Sequence, residues 1–317
     1  MYKACWNLPG KSGACTIADV VKAGNESIHD GVDVLSLSLG GMTPTYWIPK
    51  LDISLLRALA KGITVVCSAG NESSRLHSVD HIAPWIITVA ASTWKSDIAA
   101  PGVNLLAAYI PLEGNLYQSF AFQSRISLVS PHVSGIVALL KVLHSNWSPA
   151  AIISALMTTA STSGPHGDPI FTIEDPQEVA NRFHYGGRIM NLDRAMDPGL
   201  IYDMGKTYYV RYLCFTGFNI YLHSSVCSNK KPSLFNLNLP SITIPNLRGS
   251  MSVTRIVTNV GPADSTYIAS IEHPLGVKVA LKPQKLPFNV IVKKLTFTVA
   301  LSSNHKTIGG YYFGRLI

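Results

Sequence analysis

No apolar run in this 317-residue chain reaches the roughly 18 residues that a membrane-spanning helix requires, which excludes a helical span. There is no CxxC pair and no Cys/His set with zinc spacing, so no metal site is expected. Charge is scarce: 14% of residues are charged against 47% hydrophobic, a balance that fills a sizeable core and excludes intrinsic disorder. No aromatic-basic motif of the nucleic-acid type occurs, so no nucleic-acid partner is expected, and no membrane partner either. Internal repeats and low-complexity segments are also missing. The opening MYKACWNLPG lacks the basic head, apolar middle and small-residue cleavage site of a signal peptide, so no leader is expected in it. It reads as a strand entered midway.

What is present is unevenly charged. Residues 1–181 hold 10 Lys and Arg against 13 Asp and Glu, whereas residues 182–317 hold 16 against 5, within a total of +8. Such a basic half can attract polyanions weakly or serve only as a soluble surface. Of five cysteines, Cys5 with Cys15 and Cys214 with Cys227 are spaced for short disulfide loops. Cys67, inside an apolar strand, reads as a buried thiol. Sequons begin at Asn25, Asn71 and Asn146. Together with the cysteines they lean toward the secretory pathway.

The first 160 residues alternate strand and helix signals. VDVLSLSLGG (32–41), ITVVCSAGN (63–71) and WIITVAAS (85–92) are strands. The segments 16–31 and 51–62 carry helical apolar faces with glycine stops. This βαβαβ rhythm predicts a parallel sheet covered on both faces, with ligands at the carboxyl ends of its strands. Those ends are Ser38-Leu39-Gly40 and Ala69-Gly70-Asn71. A helix is expected from near Ser127 to about His144, and a second opens with Ser148 as N-cap and Pro149 at the first helical position. From about Ser241 the period changes to two, which predicts an antiparallel β-sandwich.

Ser127 stands at the mouth of the first of those helices. It is either an N-terminal helix position with no further duty or a nucleophile placed where free backbone N–H groups and the positive end of the helix dipole stabilise an oxyanion.

The segments YKACW, DGVDVLSLSLGG, GITVVCSAGN, APWIITVAAST, SPHVSGIVALLKVLHSNWSPAAIISALMTTA, DPGLIYDMG and LPSITIPNL, in order along nearly the whole chain, resemble the plant subtilases, the subtilisin-like serine proteases. The resemblance implies an α/β fold: a partial subtilisin-like parallel sheet flanked by helices, then a C-terminal fibronectin-III-like β-sandwich. The implied domains are 1–205 for the partial peptidase, 206–240 for a connecting segment and 241–317 for the sandwich. Ser127 falls at the nucleophile and Asn71 at an oxyanion-hole amide. Ser38, Leu39 and Gly40, with Ser68, Ala69 and Gly70, fall at the backbone edges that hold an extended peptide as an added strand. Ala83-Pro84 falls where the fold often has a cis proline, and His132 is read as structural. The implied reaction is hydrolysis of a peptide or protein substrate through an acyl-enzyme, outside the cell or in the apoplast, with no cofactor.

Four departures from the family pattern bear on activity. The Asp and His segments of the triad do not occur, and no other histidine is expected in a comparable setting; His166 and Asp168 lie in a loop. The Gly-Thr-Ser-Met signature reads Arg125-Ile126-Ser127-Leu128. Only Trp94-Lys95-Ser96 stand where a long insertion is usual. The sandwich is expected to lack its last strand. In subtilisin, loss of the triad histidine costs roughly a millionfold in turnover. The chain is therefore expected to be an inactive or severely impaired peptidase. The alternative is a non-catalytic pseudoprotease that binds peptides or acidic cell-wall polymers.

Overall fold

The structure is a computed structural model. It describes residues 1–8, 11–39, 50–70, 79–90, 97–102, 104–108, 119–124, 126–161, 163–164, 167–169, 179, 189–217, 233–303 and 310–317. The chain divides into two compact units, Met1–Met196 and Asp197–Ile317.

The first unit opens with an antiparallel hairpin, β1 (Cys5–Leu8) and β2 (Lys11–Cys15), in which Cys5 lies opposite Cys15 and is disulfide-bonded to it. The first strand is thus a member of a hairpin and not of the parallel sheet. Helix α1 (Ile17–His29) starts at Thr16, whose hydroxyl accepts the Asp19 N–H at 3.2 Å. Then come β3 (Val34–Leu37), α2 (Lys50–Ala60), β4 (Thr64–Ser68), β5 (Ile86–Ala90) and β6 (Ile98–Ala99). The four strands are parallel in the order β3-β4-β5-β6. Every residue of β4 is buried, as the near-continuous apolar run of a strand covered on both faces requires. Among the described residues β3 is an edge of this sheet.

A hairpin of β7 (Leu105–Ala108) and β8 (Phe120–Gln123) precedes α3 (Ile126–Leu143), α4 (Pro149–Thr159) and α5 (Leu192–Met196). Helix α3 packs against β3, β4 and β5. It does so with Val129, Val133, Val137 and Leu140, a stripe at helical spacing that is fully buried. Each such side chain contributes about 1.5–3 kcal/mol by burial, so a charge at Val133 would undo the packing. The lone lysine of this apolar helix, Lys141, donates to the Gly62 carbonyl at 3.2 Å and the Trp147 carbonyl at 3.3 Å. Ser148 caps α4 by accepting the Ala151 N–H at 3.0 Å, with Pro149 at the first helical position as expected. Cys67 is buried, and burial pushes its thiol pKa well up. The Ala83–Pro84 bond is trans; the cis peptide among the described residues is Lys282–Pro283.

The second unit contains β9 (Leu200–Ile201), α6 (Lys206–Phe215), a 3₁₀ turn at Leu234–Asn236, and β10 (Gly249–Asn259). These lead into β11 (Ser265–Ile268), β12 (Ile271–Glu272), β13 (Val277–Lys282), β14 (Lys285–Phe288), β15 (Lys294–Ser303) and β16 (Arg315–Leu316). One sheet runs β13-β15-β10-β9, and β11 with β14 and β12 with β16 form antiparallel pairs. The core is Val253, Val257, Leu281, Leu286, Phe288, Phe297 and Val299. Residues 197–205, grouped with the peptidase domain from the sequence, cluster with this unit because Leu200 and Ile201 pair with β10. Strand β14 contains Pro287, which has no N–H for a ladder. It is accommodated because β14 pairs only with β11 among the described residues. Cys214 is disulfide-bonded, and its expected partner Cys227 lies outside the described residues.

Arg255 of β10 is 3% exposed. Its guanidinium donates to the carbonyls of Leu239, Phe235, Thr254 and Ser241 at 2.8, 2.8, 2.9 and 3.1 Å. Burial lowers its pKa. The residue ties segment 235–241 to the sheet, and the side chain of Asn238 extends the same seam by bonding Ile256 N and O at 2.8 Å each.

Candidate active site

Proline 131 decides the local geometry of the candidate nucleophile. It sits inside α3, four residues after Ser127. A helical residue there would donate its N–H to the Ser127 carbonyl, but proline has none. The vacancy is filled across the fold: Ser38 Oγ, just past the end of β3, donates to the Ser127 carbonyl at 3.0 Å. One turn on, the Ser134 and Ser36 hydroxyls meet at 2.7 Å, and Ser134 Oγ lies 2.9 Å from the Ser130 carbonyl. The hydroxyls of Ser36 in β3 and of Ser38 just past it therefore fix the N-terminal half of α3 to the strand edge expected to hold substrate.

Ser127 is exposed in the first helical turn. Helix geometry leaves the N–H groups of that turn without intrahelical acceptors. No acidic residue stands in the turn to neutralise the dipole end, so an anion is favoured there. Asn71, Gly40, Arg125 and His166 lie outside the described residues.

The edge itself is tied down. Ser68 Oγ donates to the Leu39 carbonyl at 2.9 Å, and His81 Nε2 approaches the same oxygen at 3.3 Å. The Leu39 carbonyl thus faces its own fold and is not free to accept from a peptide. Ala69 N–H is bonded to Val89 O at 2.8 Å, and its carbonyl accepts the Asp80 N–H at 2.9 Å. Gly70 follows with φ +94, a conformation that favours glycine and turns the chain at the strand end.

His81 is the residue the sequence did not single out. It and Asp52 are 3% and 0% exposed. Nδ1 lies 2.6 Å from Asp52 Oδ1, and the Asp52 backbone carbonyl accepts Trp85 Nε1–H at 2.7 Å. Burial pulls the His81 pKa down, but the hydrogen bond and charge of Asp52, with Asp80 beyond, outweigh it and raise the pKa from its ordinary value. The expectation that no histidine occupies a triad-like setting is corrected to this extent: a buried Asp–His pair does stand at the carboxyl ends of the strands. Its outer nitrogen is on the Leu39 carbonyl, not on a serine hydroxyl.

The remaining described histidines are engaged elsewhere. His132 Nδ1 is bonded to the Leu128 carbonyl at 2.8 Å, in keeping with a structural role. His144 Nε2 reaches the Met196 carbonyl at 2.8 Å and stacks on Trp147. His29 lies beside Asp30, and His273 Nδ1 accepts the Val279 N–H. No described histidine is hydrogen-bonded to Ser127. No cluster of three metal-binding side chains occurs among the described residues, and none of their helices is long and apolar enough to cross a membrane.

A parallel sheet with a serine at the head of the helix behind its edge, followed by a β-sandwich, defines a serine-hydrolase scaffold of the subtilisin type. Comparison with known proteins agrees: the Subtilase family pattern matches residues 2–186 and a fibronectin type-III domain matches residues 236–317. The chain belongs to the subtilase family. It is 35% identical to subtilisin-like protease SBT3.13 of Arabidopsis thaliana over 99% of this chain and 61% of that protein. For SBT3.2 of the same plant the figures are 32%, 100% and 67%, and for SBT3.15 they are 33%, 99% and 61%. The chain thus spans about three fifths to two thirds of the length of these relatives. The first alignment runs over 469 positions against a chain of 317, so more than a hundred positions of that relative face gaps within the matched region.

Proposed function

We propose that this chain is the nucleophile-and-substrate-edge part of a subtilisin-like serine endopeptidase, acting on peptide bonds through an acyl-enzyme on Ser127. The observation that carries the reading is the Ser38 hydroxyl on the Ser127 carbonyl, which locks the nucleophile's helix to the strand edge where an extended peptide would add. Asn71 is assigned the oxyanion amide, worth about 3–4 kcal/mol of transition-state stabilisation. Turnover by these residues alone is severely impaired in this reading, because none of the described imidazoles is placed to take the Ser127 proton. The Cys5–Cys15 bridge and the bonded Cys214 call for an oxidising compartment, which supports secretion. Labelling by a fluorophosphonate serine probe tests the assignment: slow modification that disappears in Ser127→Ala supports it, and modification that persists in that variant refutes it.

A second reading, binding of an acidic polysaccharide, is favoured by one feature of the sandwich. Lys278 and Lys282 of β13 and Lys294 of β15 are exposed on one sheet face, with Lys282 opposite Thr298 and Lys278 opposite Ser302. Lys294 lies four residues from Thr298, so by strand rise the three ammonium-bearing positions form a row at about 13 Å intervals. Between them the face carries serine and threonine hydroxyls and no aromatic ring for base stacking, which suits carboxylated sugars better than nucleic acid. Salt-sensitive retention on a polygalacturonate matrix, lost when the three lysines become serine, is the expected result.

A further inference from the structure

The Asp52–His81 pair has no part in the chemistry assigned to Ser127, yet it is a buried ionisable pair aimed at the substrate edge. Its surroundings determine its protonation by geometry. Nδ1 faces a carboxylate oxygen at 2.6 Å and Nε2 faces a carbonyl oxygen at 3.3 Å. Both neighbours are acceptors, so only the doubly protonated ring satisfies both. With one proton removed, either tautomer sets a nitrogen lone pair against an oxygen lone pair. If Nδ1 keeps its proton for Asp52, the unpaired contact is the one at Leu39.

Three further observations show that the pair is held in place. His81 has φ +58, a left-handed conformation uncommon for a side-chain-bearing residue, and such strain persists where surrounding contacts enforce it. Its own carbonyl accepts the Thr88 hydroxyl. Asp52 Oδ2 is buried and accepts no hydrogen bond among the described residues, so His81 is the only described side-chain hydrogen-bond partner of that carboxylate.

We propose that His81 is a positioning residue: as an imidazolium backed by Asp52 it holds the Leu39 carbonyl inward beside the Ser68 hydroxyl, and loss of its proton leaves Ser68 as the one described donor there and loosens the Ser38–Leu39 edge on which peptide binding and the Ser127 helix depend. The proposal rests on the peptide-edge reading for its consequence, not for the latch itself. Among the described residues the titratable groups that face the ring are Asp52 of α2 and Asp80 of its own segment, while the Cys67 thiol of β4 interacts with Asp52. The raised folded-state value fixes the sign. Stability from the pair is fully present below the unfolded histidine value of about 6.5 and is lost as pH rises through the folded value.

Nuclear magnetic resonance of the full isotopically labelled chain tests this directly. The His81 ring carbon and the Leu39 carbonyl carbon should titrate together, with a midpoint above 6.5, and the Leu39 amide should exchange with solvent faster above that midpoint. His81→Asn accepts the left-handed backbone and does not titrate, so it should abolish the Leu39 transition in a folded chain. Asp52→Asn should move the midpoint down instead of abolishing it. A Leu39 carbonyl that ignores the His81 titration, or a His81 midpoint at or below 6.5, overturns the proposal. A residue that is merely structural would lower stability in both variants without moving the pH dependence. Fluorescence anisotropy of a labelled Ala-Ala-Pro-Phe peptide separates the two readings. Binding that weakens with the same midpoint supports both. Absence of binding at every pH, with the coupled titration intact, counts against the peptide-edge reading and leaves the latch standing.

Discussion

Replacing Ser38 by alanine removes the only described donor to the Ser127 carbonyl, and the cost depends on Pro131. In the native background that carbonyl loses a 3.0 Å bond that no backbone N–H can replace. A hydrogen bond of this kind contributes about 1 kcal/mol net. In a Pro131→Ala background the restored amide completes the helical bond, so the Ser38 hydroxyl becomes redundant. Pro131→Ala by itself should stabilise by about 2 kcal/mol, the helix-interior penalty of proline less the entropy it removes from the unfolded chain. The cycle should therefore show a coupling of about 1 kcal/mol between Ser38 and Pro131, which lie on different elements of the fold. Urea unfolding followed by tryptophan fluorescence suits the measurement, because all five tryptophans lie before residue 197 and report the first unit alone. Equal destabilisation by Ser38→Ala in both backgrounds would refute the reasoning.

Arg255→Met should destabilise the second unit by at least about 3 kcal/mol, since four carbonyls lose a charged donor inside the fold; circular dichroism of the sandwich transition reads it, and a loss below 1 kcal/mol would contradict the assignment. Serine at both Cys5 and Cys15 should lower the stability of the hairpin's unit by about 2–3 kcal/mol, the loop-closure value for a separation of ten residues, seen as a lower urea midpoint by tryptophan fluorescence.

Much of the scaffold was legible because its signals are local. The β-branched runs at 64–68 and 86–90, the Ser148-Pro149 helix start and the change to period two near residue 241 each follow from a few adjacent residues. Strand β14 was not legible, because Pro287 argues against a strand until it is known that β14 pairs on one side only among the described residues. The site divides in the same way. Pro131 announces a missing N–H at a fixed offset from Ser127, but the hydroxyl that answers it comes from residue 38. His81 is separated from Asp52 by 29 residues and sits in an aperiodic segment, so nothing local distinguishes it from a turn histidine. Its one hint is the neighbouring Trp85, whose indole N–H requires a buried acceptor and finds it on the Asp52 carbonyl.

The central proposal is that Ser127 is presented on a peptide edge with none of the described imidazoles placed to accept its proton. The pH profile of fluorophosphonate inactivation, with intact mass locating the adduct on Ser127, tests this most directly. The account predicts a rate that climbs steadily with pH through the neutral range without levelling off, as expected of an unassisted hydroxyl. A sigmoidal rise that reaches a plateau near neutrality would show a histidine acting as base in this chain and would contradict it.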